Sequence, residues 1–141
     1  MQVNMENILF GLESTKKEEA IRLAGDVLLK DGLIEEPYIE SMLAKEATDI
    51  TYIGNGIAIP HGLSDAKKYV NSSGISVLHF PKGIQYDDNI AYIIIGIAGK
   101  DNDHLILLQE LAIKLSDPSF VEELVKAPTK EIFTSLFNSE V

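Results

Sequence analysis

Residues 89 to 98 read Asn-Ile-Ala-Tyr-Ile-Ile-Ile-Gly-Ile-Ala. An extended chain with this pattern is apolar on both faces, so it needs cover on each side, as a central strand has. The longest uninterrupted apolar run within it, Ala91 to Ala98, cannot cross a bilayer, which takes about 20 apolar residues in a helix. A buried strand of this kind dictates flanking layers, and the rest of the chain supplies them.

Thr15-Lys16-Lys17-Glu18 has the form of a capping box. Ala20, Ile21, Ala24, Val27 and Leu28 follow at helical spacing, and Gly32 is placed to close that helix after Lys30. Pro37 suits a first helical position, with Ile39, Met42 and Leu43 as a second apolar stripe. Ile57 to Ile59 reads as a short strand ending against Pro60, and Ser73 to Phe80 as another, with Pro81-Lys82-Gly83 as its turn. Asp101-Asn102-Asp103 offers N-caps for a helix whose apolar positions are Leu105, Leu108, Leu111, Ala112 and Leu115. Pro118 and Thr129 start two more helices, with Phe120 and Leu124, then Ile132, Phe133 and Leu136, as their buried faces. Strands and helices mix without repeat or linker, which predicts one compact α/β domain with helices packed on a mixed sheet.

Several function classes are disfavoured by composition. Among 141 residues, the net charge of −10 opposes binding to nucleic acid or an anionic membrane surface and suits a basic protein partner. There is no cysteine, which removes disulfides, thiolate catalysis and cysteine metal sites. No signal peptide opens the sequence, so a cytoplasmic protein without membrane insertion is expected.

The three histidines, His61, His79 and His104, carry the chemistry. His79 alternates with Leu78 and Phe80 inside a strand and reads as a sheet-face residue with a solvent or side-chain partner. His61 stands between Pro60, which fixes a backbone angle, and Gly62, which permits a sharp turn. The motif presents an imidazole at the end of a strand, although a polar turn that happens to hold histidine would look the same. His104 falls in the first turn of the helix after the central strand, at an end that attracts anions and disfavours a protonated ring. An ordinary first-turn polar residue is the plainer alternative. If both strands end at one edge of the sheet, the two histidines converge there.

Neutral imidazole is a nucleophile near neutral pH, and phosphoimidazole passes its phosphoryl group onward. Such transfer needs one ring nitrogen free, the other held by an acceptor, and donors for the phosphoryl oxygens. No glycine-rich nucleotide loop is present, which argues against ATP held in such a site as donor.

Three stretches resemble a known family: Ser14 to Gly25, Thr51 to Gly62 (TYIGNGIAIPHG) and Ile93 to Ala112 (IIIGIAGKDNDHLILLQELA). The chain resembles, along nearly its whole length, the enzyme IIA component of the bacterial phosphoenolpyruvate-dependent sugar phosphotransferase system, fructose–mannitol type. ENILFGLESTKKEEAIRLAG, EPYIESML and DNDHLILLQEL are similar to the mannitol-specific branch. The resemblance implies a single IIA domain over residues 1–141, with a mixed five-stranded sheet flanked by helices. It implies that His61 takes a phosphoryl group on Nε2 from the phosphocarrier protein HPr and passes it to a cysteine of the mannitol IIB domain. It gives His104 a role in contacting the phosphoryl group or holding the electrostatics of the site. The family carries an arginine in the helix before TYIG, where this sequence has Lys45. Lys45 reads either as a phosphoryl-stabilising cation or as a solvated helix lysine. No cofactor or metal is implied, and a freestanding component that binds its partners transiently is expected, with Ile57, Ile59 and Leu63 contributing to docking.

Two other readings compete. A regulatory IIA-like protein of the nitrogen-related type would act through phosphorylation-dependent binding, and a IIA for fructose or another polyol would share the chemistry. A metal-dependent hydrolase would combine His61 and His104 with Asp65 or Asp103, although no compact ligand spacing such as His-Glu-x-x-His is present.

Overall fold

A computed structural model describes residues 2–139. The apolar run predicted as a central strand is β5 (Asn89–Ala98). It pairs antiparallel with β4 (Gly74–Tyr86) on one side and parallel with β3 (Ile57–Ala58) on the other. β1 (Ile8–Leu9) runs parallel beside β4, and β2 (Tyr52–Gly54) runs antiparallel beside β3. The result is a mixed five-stranded sheet in the order β1-β4-β5-β3-β2.

Both faces of β5 are covered, by different layers. Ile93, Ile95 and Ile97 join a core with Leu111 and Leu115 of α3 (Asp103–Lys114), Phe120, Val121 and Leu124 of α4 (Pro118–Lys126), and Phe133 and Phe137 of α5 (Lys130–Asn138). On the opposite face, Ile94 packs with Ala20 and Ala24 of α1 (Lys17–Lys30), and Ala98 with the cluster holding Tyr38, Ile39 and Met42 of α2 (Pro37–Thr48). Each fully buried isoleucine contributes about 1.5–3 kcal/mol, so this alternation accounts for much of the drive to form the sheet.

The helix signals hold unevenly. Gly32, at φ +75, closes α1: its N–H bonds the Leu29 carbonyl and that of Leu33 bonds Leu28, a Schellman pair. Pro37 opens α2, and the Asp117 and Thr129 side chains cap α4 and α5. The capping box at Thr15 does not form. The first helical bond runs from Ala20 N–H to the Lys16 carbonyl, which leaves Thr15 outside the cap position. Asn102 occupies the N-cap of α3 without a side-chain cap bond.

Three further expectations are corrected. β4 continues through Pro81-Lys82-Gly83, because the register shifts between His79 and Ile84 and a bulge tolerates a residue without an N–H. The hairpin turns instead at Asp87, φ +55, between the paired Tyr86 and Asn89. Leu105, Ala112 and Ile132 lie exposed on their helices rather than in the core. Among the described residues no helix is long and apolar enough to cross a membrane.

One buried charge ties α2 to the sheet. The Glu46 side chain is 3% exposed and accepts from the Thr51 hydroxyl, from the Tyr86 phenol at 2.8 Å and from the Thr51 N–H at 3.2 Å. Burial pushes the Tyr86 phenol up, so it stays protonated and able to donate. Lys17 stands 3.3 Å from the same carboxylate and 2.8 Å from Asp87. Glu46→Ala strands these donors and lowers the unfolding free energy by about 2–3 kcal/mol, whereas Glu46→Gln keeps an acceptor and costs less. Urea denaturation of both variants measures the difference.

Candidate functional site

β3 and β5 run parallel, so the segments that leave their C-terminal ends emerge at one edge. Past β3, His61 still bridges Ile97 of β5 in parallel register. Past β5, the chain turns through Gly99 to Asp101, at φ +55, and enters α3 with His104 as its second residue. The two imidazoles meet there, ring centroids 4.9 Å apart and planes tilted by 60°. Gly99 makes the approach possible: a Cβ built on it falls 2.3 Å from the His104 Cα.

The local hydrogen bonding fixes how His61 is presented. Its Nδ1 lies 2.8 Å from the Ile59 carbonyl. A carbonyl oxygen only accepts, so the ring proton sits on Nδ1 and the Nε2 lone pair is free. Burial holds the His61 pKa below the ordinary histidine value; the Ile59 bond and the charge of Glu46 oppose the shift, and that of Lys45 adds to it. At His104 burial again dominates, followed by the charges of His61, Lys67 and Lys45, and the pKa falls to about 4. Both rings are therefore neutral at pH 7: one offers a free lone pair, the other an N–H donor close by.

The cations around the pair come from two elements. Lys45, in the last turn of α2, is half-buried and holds Asp49 one turn on at 3.0 Å, so it is neither fully solvated nor unpartnered. Its charge reaches both histidines. Lys67, on the 3₁₀ helix Ser64–Tyr69, is exposed and acts on His104. In the sequence it is one lysine of the pair Lys67-Lys68, with nothing beyond its distance from His61 to set it apart.

His79 stands away from this site and is committed on both nitrogens. Nδ1 accepts from the Gly11 N–H at 3.0 Å, and Nε2 donates to the Val125 carbonyl at 2.8 Å. The ring stacks on Phe10 at 4.3 Å and is 1% exposed. Its partners are thus backbone groups, not solvent or side chains. The segment just past β1 brings Gly11 there, and the last turn of α4 brings Val125. Ile57 and Ile59 are buried, so they present no docking surface; Leu63 is half-buried, and the exposed apolar side chains beside His104 are Leu105 and Ile106.

A hydrolytic metal centre finds no ligand set. Among the described residues no group of three His, Cys, Asp or Glu side chains is placed to hold an ion. Asp65 is exposed, and Asp103 accepts from the Ser73 hydroxyl at 2.7 Å.

The family model for the phosphoenolpyruvate-dependent sugar phosphotransferase system, EIIA 2, matches residues 1–140. The chain belongs to this family. This IIA protein is 47% identical, over 134 residues, to the mannitol-specific phosphotransferase enzyme IIA component of Geobacillus stearothermophilus, a match covering 94% of the chain and 92% of the relative. Its structure is similar to that of IIA mannitol from Escherichia coli, with a TM-score of 0.89 at 36% identity over 96% of this chain and 99% of that one. The same similarity, TM-score 0.89 at 36% identity over 96% of both chains, extends to the Escherichia coli IIA mannitol solved in complex with phosphorylated enzyme IIB mannitol. As a member of this family the protein is a phosphotransferase, with the expected mixed five-stranded sheet.

Proposed function

We propose that this IIA is the phosphoryl carrier of a mannitol uptake system, working in the cytoplasm between HPr and a mannitol IIB domain. The observation that carries the chemistry is the Nδ1–Ile59 bond, which leaves Nε2 of a neutral His61 as the nucleophile. Nε2 attacks the phosphorus of phosphohistidine on HPr. A new N–P bond forms, the donor's N–P bond breaks, and its electron pair returns to the donor imidazole. The Nδ1 proton stays in place, so the phosphorylated ring becomes cationic and the Ile59 carbonyl stabilises that charge. In the second step a cysteine thiolate on IIB forms an S–P bond while the pair of the breaking N–P bond returns to Nε2.

His104 supplies an N–H for a phosphoryl oxygen, and Lys45 and Lys67 add positive charge where negative charge gathers. Leu105 and Ile106 provide apolar contact for a partner beside the histidines, 60% and 49% exposed respectively. The choice of mannitol rests on relatives whose names specify it and on the Escherichia coli counterpart seen with phosphorylated IIB mannitol.

The test is transfer. Protein phosphorylated from phosphoenolpyruvate through enzyme I and HPr is mixed with purified mannitol IIB and, separately, fructose IIB. Label moving to the cysteine of mannitol IIB at least tenfold faster is the expected result. Preference for fructose IIB, or transfer to neither, overturns the assignment.

A further inference from the structure

Where β3 peels away from β5 after Pro60, one side chain takes over the pairing. Ile97 of β5 donates its N–H to the Pro60 carbonyl at 3.0 Å, as in a parallel ladder. The next rung of such a ladder would run from the Gly62 N–H to the Ile97 carbonyl. The Tyr38 phenol stands in that rung: it accepts from the Gly62 N–H at 2.9 Å and donates to the Ile97 carbonyl at 2.9 Å. One turn on, the Ser41 hydroxyl accepts from the Leu63 N–H at 2.7 Å.

Tyr38, Ser41 and Lys45 recur at i, i+3 and i+7, so one stripe of α2 faces the histidine loop. The stripe also explains Gly62. Its φ is not in the left-handed region, and a Cβ there would lie 2.5 Å from a Tyr38 ring carbon. Space for the phenol, not backbone freedom, requires glycine at this position. Tyr38 is 3% exposed, and burial pushes its phenol up, so the O–H remains a donor across the working range.

We infer that Tyr38, assisted by Ser41, is a positioning residue for phosphoryl transfer: its phenol locks the Gly62 amide to the Ile97 carbonyl and so holds the His61 loop in fixed relation to the strand that leads to His104. The inference rests on the carrier reading of His61 above. Without the two hydroxyls, the amides after His61 lose their partners and the loop gains freedom just where Nε2 must be aimed. Misplacing a reacting group by a fraction of an ångström costs rate more than binding.

The test uses the full chain carrying Tyr38→Phe, which keeps the ring and removes only the hydroxyl, and Ser41→Ala. The expected result for Tyr38→Phe is a fall of about tenfold or more in the single-turnover transfer rate from phospho-HPr with KM unchanged. The ¹⁵N signals of the His61 ring are expected to move from the Nδ1–H tautomer toward a mixture, a change that lost stability alone does not produce. Ser41→Ala shifts both in the same direction by less. A folded Tyr38→Phe protein with wild-type rate and ring signals overturns the inference; should that variant not fold, an unchanged rate and unchanged signals in Ser41→Ala overturn it instead. Failure of wild type to accept phosphate sinks the carrier reading alone, and the ring signals of the variants then decide the positioning role by themselves.

Discussion

Alanine in place of His61 abolishes phosphoryl uptake from phospho-HPr while the protein stays folded. The ring is half-buried and makes one hydrogen bond, to the Ile59 carbonyl, so its removal costs on the order of 1 kcal/mol. The neighbouring His104 does not take over as acceptor. Its low proton affinity, with a pKa of about 4, marks a weak nucleophile. Intact mass after incubation with the donor chain, kept neutral to alkaline because phosphohistidine is acid-labile, reads the result directly. The pH dependence follows from the same residue. Burial holds the His61 pKa below the ordinary 6.5, so the decline of the uptake rate in acid, as Nε2 takes up a proton, falls at lower pH than an ordinary histidine would give.

The His104→Ala variant still accepts phosphate, but about 10²–10³-fold more slowly, the usual cost of losing one donor aimed at developing charge. The ring centroid sits 4.9 Å from that of His61, close enough for its N–H to reach an oxygen of a group on Nε2. Being neutral at pH 7, the ring donates without competing for the proton or repelling the phosphorylated imidazole. His104→Gln keeps an N–H and recovers part of the rate. Single-turnover quench flow with purified phospho-HPr measures all three proteins. A wild-type rate in His104→Ala would make the ring a bystander, and a complete loss matching His61→Ala would contradict its supporting role.

Much of this architecture can be read from local pattern. β5 coincides with Asn89–Ala98 because a strand buried on both faces has a distinctive composition. The convergence of His61 and His104 follows from two strand ends with parallel direction, and the Pro-His-Gly frame marks the first of them. Other features depend on contacts between distant segments. Tyr38 and Ser41 look like ordinary helix residues until α2 is laid across the loop that follows His61, more than 20 positions later. Glu46 reads as a surface charge near a helix end, yet it accepts from Thr51 and from Tyr86 of a hairpin 40 residues on. The strand through Pro81 escapes a local reading because the bulge that accommodates proline is a property of two chains, not one. Leu105 escapes it because an apolar residue left exposed on a helix can share the periodicity of those that face the core.

Everything proposed for the carrier depends on the phosphoryl group residing on Nε2 of His61. The most direct test is ¹⁵N–³¹P NMR of histidine-labelled protein phosphorylated through HPr at pH 8. The expected result is coupling of phosphorus to Nε2 of His61, with the Nδ1 proton retained on its bond to Ile59. Phosphorus coupled to Nδ1, or to either nitrogen of His104, would contradict it.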